Sequence, residues 1–447
     1  MINFKIWKNT RRFFDAGDKN FRLIFFSFVT GIIAGIAGSI FRLVLAYIGE
    51  FRDVLYINAE NGSFFYRLLP WIFGAITIGI SLFLVKRFAP ETSGSGVQEI
   101  EGALDGIRPL RWKRVIPVKF FASLFSLGSG LLLGREGPTV QIGANIGKMT
   151  EDVFKQTPDE RNPLVAAGAA AGLASAFNAP LAGIIFVIEE MHGHFRHTFY
   201  SVAAIMIASG TADLAVRILI GADPVIKMSV FPAPDVSYIW MFVVLGVLLS
   251  FAGYLFNFMI IKILDFFHDI SKTYLIISVV FAALLIAVTG IINPKMIGGG
   301  YETVRLVLDN SLSLKLLAVL FAGRLLLTVF SYGLGVPGGI FAPLLALGVI
   351  FGMFFGTLIH LYFPDFTVSS GVFAVAGMAG IFAATVRAPL TGLVLAVEMT
   401  SNYEMILPLI ITAVTASVVT AQSGNSPIYT VLLRRTVTES LPAKVRQ

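Results

Sequence analysis

The chain contains no cysteine. Disulfide bridges and thiolate metal sites are therefore excluded, and the redox compartment cannot be read from cysteine usage. Charge is scarce as well: 14% of the 447 residues are Asp, Glu, Lys or Arg, against about a quarter in a typical soluble domain. No His-Glu-x-x-His pattern, phosphate-binding loop or Ser/His/Asp arrangement occurs. The first twenty residues are polar and basic and lack an apolar h-region, so no cleavable signal peptide is expected. These absences argue against a soluble enzyme.

Apolar sequence fills the space. It makes up 56% of the chain, which points to a polytopic membrane protein. Runs long enough to cross a bilayer lie at 23–48, 64–86, 116–133, 198–220, 237–263, 274–292 and 313–332. Shorter or Gly/Pro-interrupted apolar pieces lie at 138–154, 163–177, 180–191, 337–362, 370–386, 389–399 and 404–421. The net charge of +7 is no nucleic-acid footprint. It gathers in Lys5, Lys8, Arg11, Arg12, Lys19 and Arg22, in the loop from Arg108 to Lys119, and in Arg434, Arg435, Lys444 and Arg446. Basic flanks mark the cytoplasmic side, so both termini and the 105–115 loop are expected there.

One stretch stands out. Leu133-Gly134-Arg135-Glu136-Gly137-Pro138 places two adjacent charges deep in apolar sequence. Its glycines let other groups approach the backbone, and Pro138 suits the first turn of a helix. A helix that starts inside a bilayer presents unpaired N–H groups and a positive dipole end, an anion-binding arrangement. A carboxylate in hydrocarbon is expensive and therefore a functional candidate, so Glu136 reads as a competitor for an anion, a proton carrier, or both. An ion pair with Arg135 is the bland alternative, but neighbours on a helix point in different directions.

The chain also repeats itself. Gly94-Ser95-Gly96 lies over Gly298-Gly299-Gly300, an offset of 204 residues. Lys119 lies over Arg324, and Gly134-x3-Pro138-x4-Gly143 over Gly339-x3-Pro343-x4-Gly348, both offset by 205. Ala179-Pro180-Leu181 with Glu189 lies over Ala388-Pro389-Leu390 with Glu398, offset by 209. The join falls in the polar loop from Gly221 to Ser237. Duplicated membrane chains form pseudo-symmetric halves with a site at their interface; the span count leaves parallel and inverted repeats both open. The division expected is a 1–22 N-terminal segment, repeats at 23–220 and 238–435 joined by 221–237, and a 436–447 tail. Glycines that merely let helices pack closely are the competing reading of any single motif.

Gly94-Ser95-Gly96-x-x-Glu99, Gly134-Arg135-Glu136-Gly137-Pro138 and Gly338-Gly339-Ile340-Phe341-Ala342-Pro343, together with Tyr429, resemble the signature motifs of the CLC chloride channel and transporter family in order and spacing. The resemblance runs from about 22 to 435 and is strongest to short bacterial proton-coupled members without C-terminal CBS domains. It implies an all-α inverted-repeat membrane fold of about eighteen broken and re-entrant helical pieces, a homodimer, and a bacterial inner-membrane location. It also implies a chloride site made by the Ser95 and Tyr429 hydroxyls and the backbone N–H groups of Ile340 and Phe341. An outer site would use N–H groups of Arg135 to Gly137 and of Ile340 to Ala342. Glu136 matches the external gating glutamate and Glu190 the internal proton glutamate. Gln98 departs from members that carry Pro in the first motif, whereas Pro138 favours the chloride branch over the fluoride-exporting one.

Several residues keep two readings at this stage. Ser95 also suits a helix N-cap, and Tyr429 alone reads as an interfacial aromatic. Glu189 shares its place with Glu398 and reads as structural, capping its own helix end or meeting a dimer partner. Glu190 faces Met399 in the repeat and breaks the symmetry; a solvated helix end is its alternative. His192, His194 and His197 read as a solvated turn more readily than as a metal site. Lys119 and Arg324 read as structural cations or as a bias on anion access, and Arg387 as an anchor at a helix end. The function expected is chloride/proton antiport, with no cofactor and with chloride and protons as the transported ions. A passive gated chloride channel is the alternative, and an intramembrane acid/base enzyme the remote one.

Overall fold

The computed structural model describes residues 2–154, 163–195, 197–363 and 368–440. Within them the chain is helical throughout, with α1 Ile2–Asn61, α2 Phe64–Phe88, α3 Val97–Leu104, α4 Trp112–Gly128, α5 Glu136–Val153, α6 Pro163–Phe177, α7 Pro180–Glu190 and α8 Phe199–Leu219. The chain continues through α9 Ile239–His268, α10 Lys272–Ile292, α11 Tyr301–Asp309, α12 Leu314–Gly333, α13 Phe341–Tyr362, α14 Ser370–Val386, α15 Pro389–Thr400, α16 Ile406–Gln422 and α17 Ile428–Ser440. Among the described residues, eight helices are long and apolar enough to cross a membrane. The first of these windows, Asn20–Glu60, has 41 residues. At 1.5 Å per residue that is about 60 Å, twice the hydrocarbon thickness, so it runs oblique to the membrane normal or projects beyond it. The sequence pattern marks only its apolar middle, 23–48, because helical structure continues through the charged residues beyond.

Element order reproduces the duplication. Helices α1 to α8 correspond one by one to α9 to α16, and α17 has no counterpart. The halves meet through pairs of equivalent residues. Gly134 and Gly339 exchange two backbone hydrogen bonds, N–H to carbonyl at 2.7 Å and 2.6 Å. These two glycines are repeat mates, so a pseudo-two-fold axis passes between them. α5 and α13 start on either side of it.

A second pair shows that the axis reverses helix direction. Glu189, at the end of α7, accepts from the N–H groups of Leu390 and Thr391 at 3.0 Å and 2.7 Å, at the start of α15. Glu398 returns the arrangement, accepting from Leu181 and Ala182 at 3.1 Å and 2.7 Å. Each helix thus has its open N–H groups capped by an acid from its mate, and the two run antiparallel. That is inverted-repeat geometry, which the span count alone left undecided. Glu189 is structural, but it caps the opposite repeat rather than its own helix. A carboxylate on helix-start N–H groups is a charge-assisted bond. Glu189→Gln is expected to destabilise the protein by about 2 kcal/mol, read as a fall in the melting temperature of detergent-solubilised protein. An unchanged melting curve overturns that assignment.

The long Ala/Gly-rich helices pack at backbone contact. A Cβ on Gly143 of α5 would lie 2.9 Å from Gly172 Cα of α6, and one on Gly348 of α13 would lie 2.6 Å from the Gly377 carbonyl carbon of α14. For these two positions close packing is the sufficient reason for glycine. The paired glycines Gly134 and Gly339 lie elsewhere, at the start of the facing helices.

Candidate functional site

The site is the meeting point of three loops and the N-termini of α5 and α13. Gly94 donates to the Val336 carbonyl at 3.2 Å and accepts from Gly338 at 3.0 Å. The first and third motifs are thereby fixed to each other, as the second and third are through Gly134 and Gly339. The loops are held from behind by buried cations. Lys119 Nζ donates to the carbonyls of Thr92, Gly94 and Ser95 at 3.0, 2.8 and 3.1 Å. Its mate Arg324 donates to the carbonyls of Met296 and Gly298 at 3.1 Å and 3.0 Å and to the Thr303 hydroxyl at 2.6 Å. Both are structural: each draws the carbonyl oxygens of its own glycine-rich loop onto one buried cation. Arg387 also anchors a helix end. It takes the left-handed conformation after α14 and donates to the Asn425 carbonyl at 3.0 Å.

α5 opens at Glu136, with Arg135 as its N-cap residue and Pro138 in the first turn. α13 opens at Phe341, with Ile340 as N-cap residue. The first N–H groups of each helix have no partner within it, and these are the groups of Arg135, Glu136 and Gly137 and of Ile340, Phe341 and Ala342. No side chain could replace the hydrogen at Gly137, because its Cβ would lie 2.7 Å from the Ser95 carbonyl oxygen and 2.9 Å from Ser95 Cα. Ser95 therefore sits against the start of α5. Its side chain does not cap α3, whose N-cap residue is Gly96.

Glu136 is fully buried. One carboxylate oxygen accepts from the Tyr301 hydroxyl. The other accepts from the Ala342 N–H at 3.4 Å. The carboxylate therefore lies against the first N–H groups of the opposite repeat's helix. Arg135 does not pair with it. Its guanidinium lies over the Tyr301 ring, 4.8 Å from the centroid, and its Nε is buried with no hydrogen-bond partner. Tyr301 was not singled out from the sequence. Its signal was there, since the third glycine of the Gly298-Gly299-Gly300 run precedes an aromatic hydroxyl where the first repeat has Val97.

Deeper in, Tyr429 is fully buried and belongs to α17, so it is no interfacial aromatic. Its ring lies 6.0 Å from that of Phe341, which in turn lies 5.3 Å from Phe186 and 4.9 Å from Phe382. The Tyr429 and Ser95 hydroxyls lie within each other's reach. Yet each is buried with no hydrogen bond of acceptable geometry. Buried hydroxyls are rarely left so, and two donors beside a helix N-terminus suit a bound anion.

Glu190 ends α7, one turn beyond Phe186, and is half-buried. It faces Glu189 and the buried Glu101 of α3, whose Oε1 has no partner. Glu101 was not picked out from the sequence, where it reads as one more acid in Gln98-Glu99-Ile100-Glu101. Gln98 is buried with its Oε1 unpartnered. Among the histidines, His194 bonds Asp105 at 2.7 Å, and the rings of His192 and His197 lie 5.0 Å apart. No group of three metal-binding side chains forms among the described residues, and Arg196 lies outside them.

Residues 73–421 match the family model described as voltage gated chloride channel. The chain belongs to that family. The H+/Cl− exchange transporter ClcA of Vibrio cholerae serotype O1 is 45% identical over 444 residues, covering 97% of this chain and 94% of its own. The H+/Cl− exchange transporter ClcA of Salmonella agona is 39% identical over 433 residues, covering 96% and 91%. The crystal structure of a slow cyanobacterial Cl−/H+ antiporter superposes with a TM-score of 0.90 at 38% identity, covering 94% of this chain and 99% of that one. The CLC family accounts for both the inverted repeat and the motif positions read from the sequence.

Proposed function

We propose that this chain is a secondary active antiporter that exchanges chloride for protons, and that Glu136 couples the two ions by competing with chloride for one position. The observation that carries the reading is the Glu136 carboxylate seated on the Ala342 N–H, where an anion would otherwise lie. Protonation removes the charge that holds the side chain there; chloride then takes the N–H groups of Arg135 to Gly137 and of Ile340 to Ala342. A second chloride position lies between the Ser95 and Tyr429 hydroxyls and the N–H groups of Ile340 and Phe341. Glu190 passes protons on the other side. The relatives named above are exchange transporters, which accords with a protein that is not an enzyme and that works without a cofactor.

In this reading the protein lies in a bacterial inner membrane as a homodimer, with Glu136 toward the outside and both termini in the cytoplasm. The repeats extend over 23–220 and 238–435, flanked by the 1–22 and 436–447 segments; α8 ends and α9 begins close to the 221–237 join. The deciding experiment is reconstitution in liposomes with a chloride gradient as the sole driving force. Proton movement against its own gradient is the expected result. Chloride flux with no proton movement identifies a passive channel of the same fold and overturns the antiport reading. Replacement Ser95→Pro removes one hydroxyl donor from the inner chloride position and is expected to raise the nitrate-to-chloride flux ratio several-fold. An unaltered anion ranking removes Ser95 from selectivity.

A further inference from the structure

Beside Glu136 opens a cavity of about 580 Å³, walled on one side by Tyr301 and Arg135. Its charged lining is largely neutralised in place. Arg52 pairs with Asp53 at 3.1 Å, Arg305 with Glu302 at 3.0 Å, and Asp223 with Lys227 at 2.6 Å. Two lining cations, Arg135 and Arg42, lack a direct ion pair among the described residues. Arg135 forms no ion pair and leaves its Nε without a partner. Arg42, from the middle of α1, has a neutral partner, donating to the Ser175 carbonyl at 3.2 Å. Asp213, an acid that acts on Arg42, is bonded to Arg217 at 2.6 Å. The two guanidiniums act on each other as like charges. Glu50 is the remaining acid of the lining and is exposed to solvent.

Two guanidiniums that line one cavity, neither of them in an ion pair, repel each other, and a small anion between them relieves that repulsion. We propose that Arg42 and Arg135 form an anion-loading site for a small monovalent anion such as chloride, one step outside the position that Glu136 occupies. The proposal rests on the antiport reading and adds to it a side-chain site, where the gate uses backbone N–H groups. Arg135 ties the two together. Its side chain reaches the cavity while its backbone starts α5, and the Tyr301 ring it covers carries the hydroxyl bonded to Glu136. An anion arriving at the pair is held next to the gate until Glu136 is protonated. The opposite repeat has Ile340 where the first has Arg135, so this guanidinium has no counterpart there.

The test compares wild type, Arg42→Gln and Arg42→Lys in liposomes, measuring initial chloride exchange over a chloride series at fixed ionic strength. Removing one of two cations is expected to raise the half-saturating chloride concentration about four- to tenfold. The maximal rate at saturating chloride is expected to stay within about twofold, and Arg42→Lys to remain close to wild type. Raising ionic strength with a non-transported salt should weaken half-saturation in wild type and shrink its difference from Arg42→Gln. Half-saturation unchanged in Arg42→Gln overturns the loading site, as does equal loss in both variants, which assigns Arg42 to its Ser175 bond. Should Arg42→Gln fail to assemble, wild-type half-saturation that ignores ionic strength overturns it instead. Wild-type protein that carries no chloride at all is a failure of the antiport reading, and is thereby told apart.

Discussion

Glu136→Gln is expected to leave chloride flux running while proton flux falls to the level of empty liposomes. The replacement keeps the size of the side chain, so the packing around Gly134, Tyr301 and Ala342 has no reason to change. What it removes is the charge. The carboxylate now accepts from the Tyr301 hydroxyl and the Ala342 N–H, and bonds to an ionised acceptor exceed neutral ones by roughly 1 kcal/mol each. Two such bonds are worth about 2 kcal/mol, which lowers the side chain's hold on the anion position by about thirtyfold. Chloride then competes against a neutral amide and takes the position without waiting for a proton. Chloride flux is therefore expected to become independent of pH on the Glu136 side. The measurement is simultaneous chloride and proton flux from one liposome preparation. Coupled proton flux that survives in Glu136→Gln sinks the competition mechanism, whatever happens to chloride.

The scaffold of this site was legible because a duplicated chain writes its constraints twice. Gly134 and Gly339 could be paired from their offset, and the structure places them face to face. The same logic set Glu189, which has a mate, apart from Glu190, which has none. Contacts between halves were not legible. That Glu189 caps α15 and Glu398 caps α7 depends on the helices running antiparallel, and periodicity carries no direction. Tyr301 escaped notice for a related reason. It opens an otherwise unremarkable short helix, α11, and only folding carries it 165 positions back to Glu136. Arg42 escaped because a single cation in a long apolar helix reads as an end-of-span residue until the cavity around it is seen. The residues proposed to carry function are mostly those that break the repeat: Glu136 against Phe341, Glu190 against Met399, and Tyr429 on α17, which has no mate; Tyr301 against Val97 breaks it too.

Glu190→Gln is the second large effect expected: proton flux down tenfold or more, with chloride flux within about threefold of wild type. The reason is the apolar stretch between the two acids. Phe186, Phe382 and Tyr429 pack their rings within 4.9 to 6.0 Å of Phe341. A proton released by Glu136 therefore needs an acceptor on the far side of the rings, and Glu190 stands there, one turn after Phe186 on the same helix face. Chloride uses none of this. Its proposed ligands are hydroxyls and backbone N–H groups, so it should pass a neutral residue at 190 unaffected. Retaining the shape with Gln keeps α7 intact, and its neighbour Glu189 continues to cap α15. A fall in both fluxes would mean a general structural loss and would overturn the assignment. So would proton flux that persists, which would hand the role to Glu101, the other buried acid within reach. The expected separation of the two fluxes at position 190 follows from the proposed division of roles: chloride on hydroxyls and backbone N–H groups, protons on Glu136 and Glu190, whose repeat mates are Phe341 and Met399.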